Sequence, residues 1–108
     1  MKRIKSIVEW QSLLNYSTEQ PFLLFKISMT CFSSLSAKKE LQTLVTDLPI
    51  YVVIVQMDNK VSKAIESDLN VKHESPQLLI LKDGKAIWQA THYHIKNTIV
   101  TEAIEMYC

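Results

Sequence analysis

Phe22-Leu23-Leu24-Phe25-Lys26-Ile27-Ser28-Met29-Thr30-Cys31-Phe32-Ser33-Ser34 is the stretch on which the fold turns. Its apolar half is continuous rather than alternating, the pattern of a central strand covered on both faces. That predicts a strand over residues 22–28, with Lys26 its one charge. A helical periodicity starts at Phe32, so Cys31 falls at a strand-to-helix junction. There the positive end of the helix dipole and the free N–H groups of the first turn stabilise a thiolate. They can pull a thiol pKa from about 8.5 to roughly 3.5–7.5. Cys31 is therefore a candidate nucleophile. It reads equally as a small buried hydrophobe, with Ser34 an ordinary first-turn serine.

Downstream, Leu41, Leu44, Val45 and Leu48 follow an i, i+3, i+4, i+7 rule, while Lys38, Lys39, Glu40 and Gln42 form the wet side, predicting a helix from Phe32 to about Leu48. Ile50-Tyr51-Val52-Val53-Ile54-Val55 is rich in branched side chains and reads as a second central strand, closed by Asp58 and Asn59. Val61, Ala64, Ile65 and Leu69 give a short helix over residues 60–69. The runs Gln77–Leu81 and Ala86–Ala90 flank Asp83-Gly84, the chain's best hairpin signal, and should pair antiparallel. Ile95, Ile99, Val100, Ala103, Ile104 and Tyr107 mark a closing helix, for which His94 is a fair cap candidate. Upstream, Ile4, Ile7, Val8 and Leu14 point to an amphipathic helix in the first seventeen residues, broken between Asn15 and Pro21. The order α β α β α β β α fits one α/β domain over residues 1–108. That order is consistent with a thioredoxin-like fold, with a mixed central sheet of about four strands and helices expected on both faces.

Composition narrows the function. Twelve basic and eleven acidic side chains leave a net charge of +1, with no basic block to neutralise a row of phosphates, so nucleic acid is not an expected partner. The lysine-containing N-terminus Met1–Lys5 is not followed by a signal-type apolar core, and no apolar stretch approaches the length of a membrane span; neither export nor a membrane is expected. The second cysteine is Cys108, so no disulfide framework is being built, and a reducing cytoplasm suits the pair. Gly84 is the sole glycine, which excludes a glycine-rich phosphate loop.

Three residues after Cys31, where a dithiol motif has its second cysteine, stands Ser34. An internal disulfide of the thioredoxin kind cannot form there. Cys31 can still attack a mixed disulfide and carry the small-thiol adduct until another thiol removes it. Ser34, one turn along, is expected to aim its hydroxyl at the thiolate. Thioredoxin-like proteins also place a cis proline facing the reactive cysteine, just before the hairpin strand. Pro76 has that address, so Ser75-Pro76 is a candidate cis bond against a low base rate.

Thr30-Cys31-x-x-Ser34, together with His73-Glu74-Ser75-Pro76-Gln77, Lys82-Asp83-Gly84-Lys85 and Trp88 followed by Thr91-His92-Tyr93, closely resembles the monothiol bacilliredoxins over roughly residues 20–105. The resemblance implies that Cys31 removes bacillithiol, a low-molecular-weight thiol of many Gram-positive bacteria, from S-bacillithiolated cytosolic proteins. Cys31 and Ser34 would be the catalytic pair, with Thr30, Phe32, Ser75, Pro76 and His73 lining the substrate groove. Bacillithiol would be a thiol co-substrate, with no tightly bound cofactor and no metal, and the protein a cytoplasmic monomer. Two departures stand out. Phe25 occupies the place where thioredoxins bury an aspartate, which suits a cycle with no second thiol to deprotonate. Phe32-Ser33 replaces the proline often found between the active-site positions, which bears on the exposure of Cys31.

Lys26, Lys38 and Lys39 either favour the thiolate and bacillithiol's malate carboxylates or form a solvated face. His92 and His94 hint at a metal pair without a four-ligand set. Cys108 is either a resolving thiol or part of a frayed end. Two other functions remain open from the sequence. One is a non-catalytic thioredoxin-like binding module. The other is an iron-sulfur carrier of the monothiol glutaredoxin kind, whose Cys-Gly-Phe-Ser motif and glycine pair this chain lacks.

Overall fold

The computed structural model describes residues 1–108. In chain order the elements are β1 (Lys2–Arg3), α1 (Ile7–Tyr16), β2 (Phe22–Ile27), α2 (Phe32–Gln42), β3 (Ile50–Ile54), α3 (Asn59–Leu69), β4 (Gln77–Lys82), β5 (Lys85–Thr91), a 3-10 turn (His92–His94) and α4 (Asn97–Tyr107). The sheet runs β1-β3-β2-β4-β5. Its first three strands are parallel, and β4 runs antiparallel to both β2 and β5.

β2 is the middle strand, and Phe22 through Lys26 are all buried. Alternate side chains point to opposite faces. Leu23 and Phe25 join Leu78 and Ile80 against Ala37 and Leu41 of α2 and Val100 and Ala103 of α4. Phe22 and Leu24 join Leu79 and Leu81 against Trp10 of α1 and Val61 and Ile65 of α3. Two apolar layers on one strand are the reason its sequence does not alternate.

The fifth strand, β1, is two residues long, too short to leave a periodicity. It is held by the Ile4 N–H on the Val52 carbonyl at 2.9 Å and by a two-pronged bridge from Arg3 to Asp58 at 2.9 and 2.7 Å. Ile4 therefore drops into the core as extended chain, not as helix. Helix α1 starts only after Ser6, whose Oγ accepts the Glu9 N–H. Its phase is set by buried Trp10 with Leu13 and Leu14 behind it. Ile7 and Val8, expected on the inner face, are exposed.

Helix α2 ends at Gln42, short of the expected Leu48. The Thr43 hydroxyl bonds back to the Glu40 carbonyl and Thr46 Oγ1 accepts the Leu48 N–H, local bonds that compete with the helix. Pro49 then disfavours helical backbone at Leu48. Leu44 and Leu48 still reach the core from the loop, whereas Val45 is 95% exposed. The α4 start also differs: His94 lies in the 3-10 turn, and the Asn97 N–H is taken by Glu40 Oε1 of α2 at 2.9 Å. Asp83 and Gly84 both have positive φ, 53° and 73°, and close a two-residue turn between paired Lys82 and Lys85. The Asp83 and Gly84 N–H groups bond to the Ser17 carbonyl and hydroxyl, pinning the hairpin tip to the end of α1.

Candidate active site

Cys31 is the N-cap of α2, with extended backbone (φ −100°, ψ 126°) and a half-buried side chain. The end of β2 delivers it, and a set of polar contacts fixes the connecting residues 28–30. Ser34 Oγ accepts the Ser28 N–H at 3.0 Å. Gln56, from the turn after β3, accepts the Met29 N–H at 3.1 Å and donates to Ser28 Oγ. The Ser28 hydroxyl lies 3.4 Å from Thr30 Oγ1. Gln56 escaped the sequence reading because it lies 27 positions from Met29, and only the β2 to β3 register brings the two together.

The hydroxyl nearest the sulfur belongs to Ser33, with Oγ 2.8 Å from Cys31 Sγ. It is the first cause holding the Cys31 thiol below its usual pKa. The Ser34 backbone N–H follows, partial burial opposes, and the Ser33 N–H and then the Ser34 hydroxyl assist. The Ser34 hydroxyl, expected to pair with the thiolate, assists last, while its oxygen accepts the Ser28 N–H. Ser33 was not singled out from the sequence. A first-turn Cys-x-Ser is the only signal it leaves, and the rotamer decides which serine faces the thiol. The groups that hold the thiol down are all serine hydroxyls and N–H groups of the first turn, with no lysine among them.

The Ser75-Pro76 bond is cis. Because Lys26 pairs with Gln77 at the same end of the sheet, the loop before β4 stands beside the end of β2. The Pro76 carbonyl accepts the His92 N–H at 3.0 Å, which ties the 3-10 turn to that loop. α2 packs against the same turn. Cys31, Ser75-Pro76 and His92–His94 therefore share one rim, where Phe32 and Tyr93 are exposed at 85% and 59%. His73 is turned away toward α3: its N–H donates to Glu66 Oε2 at 2.6 Å and its Nδ1 lies 3.5 Å from Ser62 Oγ. Burial and the charge of Lys26 push the His73 pKa down against Glu66 and Glu74.

Lys26 is not on a solvated face. It is fully buried, its Nζ has no hydrogen-bond partner, and burial lowers its pKa to about 8 against the pull of Glu66. Lys38 and Lys39 are exposed. Cys108 sits near Lys82, at the hairpin end of the sheet opposite Cys31, and burial pushes its thiol pKa up. It is not placed to resolve an adduct on Cys31. His92 Nε2 lies 3.8 Å from Glu74 Oε2, and no three His, Cys, Asp or Glu side chains gather as a metal site. No helix is long and apolar enough to cross a membrane.

The fold is that of thioredoxin. A thioredoxin of Fasciola hepatica superposes with a TM-score of 0.77 over 100% of both chains at 14% identity. One of Malassezia sympodialis gives 0.79 over 99% of this chain and 90% of its own at 12% identity. A structure described as a candidate oxidoreductase with a thioredoxin fold gives 0.84 at 27% identity, over 95% of this chain and 92% of that one. The family model for the monothiol bacilliredoxin BrxC matches residues 2–100. With a single cysteine capping α2, serine three positions on and a cis proline on the same rim, the chain belongs to the monothiol bacilliredoxin family of thiol-disulfide oxidoreductases.

Proposed function

We propose that this chain removes bacillithiol from S-bacillithiolated proteins in the cytoplasm, acting as a monomer through Cys31. The observation that carries the reading is Cys31 at the N-cap of α2, with Ser33 Oγ 2.8 Å from its sulfur and no second thiol beside it, in a chain of the monothiol bacilliredoxin family. The Cys31 thiolate, held by the Ser33 hydroxyl and the first-turn N–H groups, attacks the bacillithiol sulfur of a mixed disulfide. The bond to the protein sulfur breaks, the protein thiolate leaves and takes a proton from water, and Cys31 keeps bacillithiol. Ser34 is at the position of a resolving cysteine and cannot attack, so an external thiol, bacillithiol itself or another reductant, must close the cycle.

In this reading Ser34 acts mainly by fixing the 28–31 segment. The Ser75 backbone before cis Pro76 receives the substrate chain. Thr30 and exposed Phe32 flank the sulfur as contact residues, and His73 is tied to α3 through Glu66 and Ser62. An S-bacillithiolated reporter enzyme, mixed with the reduced protein in a single turnover, tests the reading. Recovery of the reporter's free thiol with wild type and not with Cys31→Ser is expected. Equal recovery with both, or none with either while Cys31 still reacts with iodoacetamide, would overturn it in favour of a binding module.

A further inference from the structure

Cys31 lies just beyond the end of the middle strand and can be approached from two flanks, because β3 lies on one side of β2 and β4 on the other. The cis proline loop occupies the β4 flank. On the β3 flank a cavity of about 270 Å³ opens directly beside the cysteine, walled by Met29, Leu35, Ile54 and Lys38 among others. No residue of the proline loop or the 3-10 turn lines it. Met29 and Leu35, 61% and 53% exposed, give it apolar sides. Lys38 is its only charged residue and has no ion-pair partner. A second cavity of about 300 Å³ continues past Lys38 toward Arg3, sharing Ile27, Lys38 and Ile54 with the first. Lys38 thus stands midway along a groove that begins at the nucleophile.

We infer that this β3-side groove seats the small-thiol half of the mixed disulfide and that Lys38 holds its carboxylate, while the protein half departs along the β4 side past Ser75-Pro76. The inference rests on the function proposed above and deepens it. Lys38 follows Cys31 by seven positions, a rise of about 10 Å along α2. Lys38 is not one of the groups that hold the Cys31 thiol down. It suits an anion separated from the sulfur by an amide and a sugar, as the malate of bacillithiol is. In disulfide exchange the attacking, central and leaving sulfurs lie in line, so the substituent on the central sulfur must extend to one side. The open groove with a free cation is the side that accepts an anionic substituent. The bond formed is Cys31 Sγ to the small-thiol sulfur and the bond broken is that sulfur to its partner. Cys31 is oxidised as the disulfide is reduced, with no further reagent.

The test compares second-order rate constants of Cys31 with two symmetric disulfides, that of bacillithiol and that of the same thiol with its malate replaced by methyl. Lys38→Glu should slow the malate-bearing disulfide about five- to tenfold and the neutral one less than about twofold. Lys39→Glu, one position on and outside the groove, should change neither by more than about twofold. Alkylation by iodoacetamide should be the same in all three proteins, and high salt should erase the wild-type preference. If both disulfides react and Lys38→Glu leaves their ratio at the wild-type value, or if Lys39→Glu matches Lys38→Glu, the groove assignment is wrong while the chemistry at Cys31 stands. A wild type that is alkylated but reacts with neither disulfide overturns both.

Discussion

At Cys31 the decisive atom is the hydroxyl of Ser33, 2.8 Å from the sulfur. A hydroxyl donating to a thiolate is a charge-assisted bond that the neutral thiol cannot match, so it favours the ionised form. Ser33→Ala should therefore move the pH midpoint of iodoacetamide alkylation upward and cut the rate at pH 7 about three- to tenfold. Ser34→Ala should shift the midpoint less, because its hydroxyl is the last of the groups that hold the thiol down. A larger shift from Ser34→Ala would reverse the assignment. Lys26 poses the opposite problem, a cation in the core with Glu66 as its charged neighbour and His73 nearby. Its folded pKa of about 8 lies below the 10.5 usual for a free lysine side chain. Between those values the unfolded chain binds more protons, so this group's contribution to stability rises with pH across that window and is at its most unfavourable below pH 8. Lys26→Met, of similar volume, should be more stable than wild type at pH 7 by about 2–3 kcal/mol, and the gap should shrink toward pH 10. Urea titrations at the two pH values check this, and a pH-independent gap would show that packing alone had changed.

Among the elements, the two that meet at Cys31 were readable for different reasons. The strand β2 is legible because burial on both faces writes an uninterrupted apolar run into Phe22–Ile27. The start of α2 is legible because the cysteine breaks the strand pattern, but its end is not. Thr43, Thr46 and Pro49 stop it by local bonds that the spacing of Leu44 and Leu48 conceals. Helix α1 was misphased for a related reason: Ile4 is drawn inward by its bond to Val52 as extended chain, so counting helical turns from it puts Val8 inside. The hairpin was legible to the residue, since two successive positive φ angles need Asp-Gly or its like. Gly84→Ala meets no atom within 4 Å, so its cost is the backbone conformation alone. It should lose about 1 kcal/mol in urea unfolding and leave Cys31 alkylation unchanged, because the turn lies at the far end of the sheet. Gln56→Ala should do the converse. Removing its two bonds to Ser28 and Met29 loosens the cysteine segment, and amide hydrogen exchange at residues 28–31 should quicken several-fold. Unchanged protection there would show that Ser34 suffices to hold the segment.

Across the whole molecule, the parallel β1-β3-β2 half and the antiparallel β4-β5 hairpin meet on the middle strand, and the reactive sulfur is set at that seam. The proposed single-cysteine chemistry rests on where the two thiols lie: Cys31 on the rim with the cis proline, Cys108 beside Lys82 at the opposite end. The sequence carried the cysteine, its serine and the proline loop, since each sits at an element boundary. It could not carry the burial of Lys26 or the support from Gln56, because each depends on how two distant elements pack, nor the choice of Ser33 over Ser34, which a side-chain rotamer decides. The central claim is that Cys31 takes up bacillithiol and holds it until an external thiol arrives. Intact-mass spectrometry of the reduced protein, mixed with an S-bacillithiolated partner and then freed of it, tests that directly. The account predicts one bacillithiol per chain, mapped to Cys31, persisting without added thiol and equally so in Cys108→Ser. Loss of the adduct with formation of a Cys31–Cys108 disulfide, or an adduct mapped elsewhere, would contradict it.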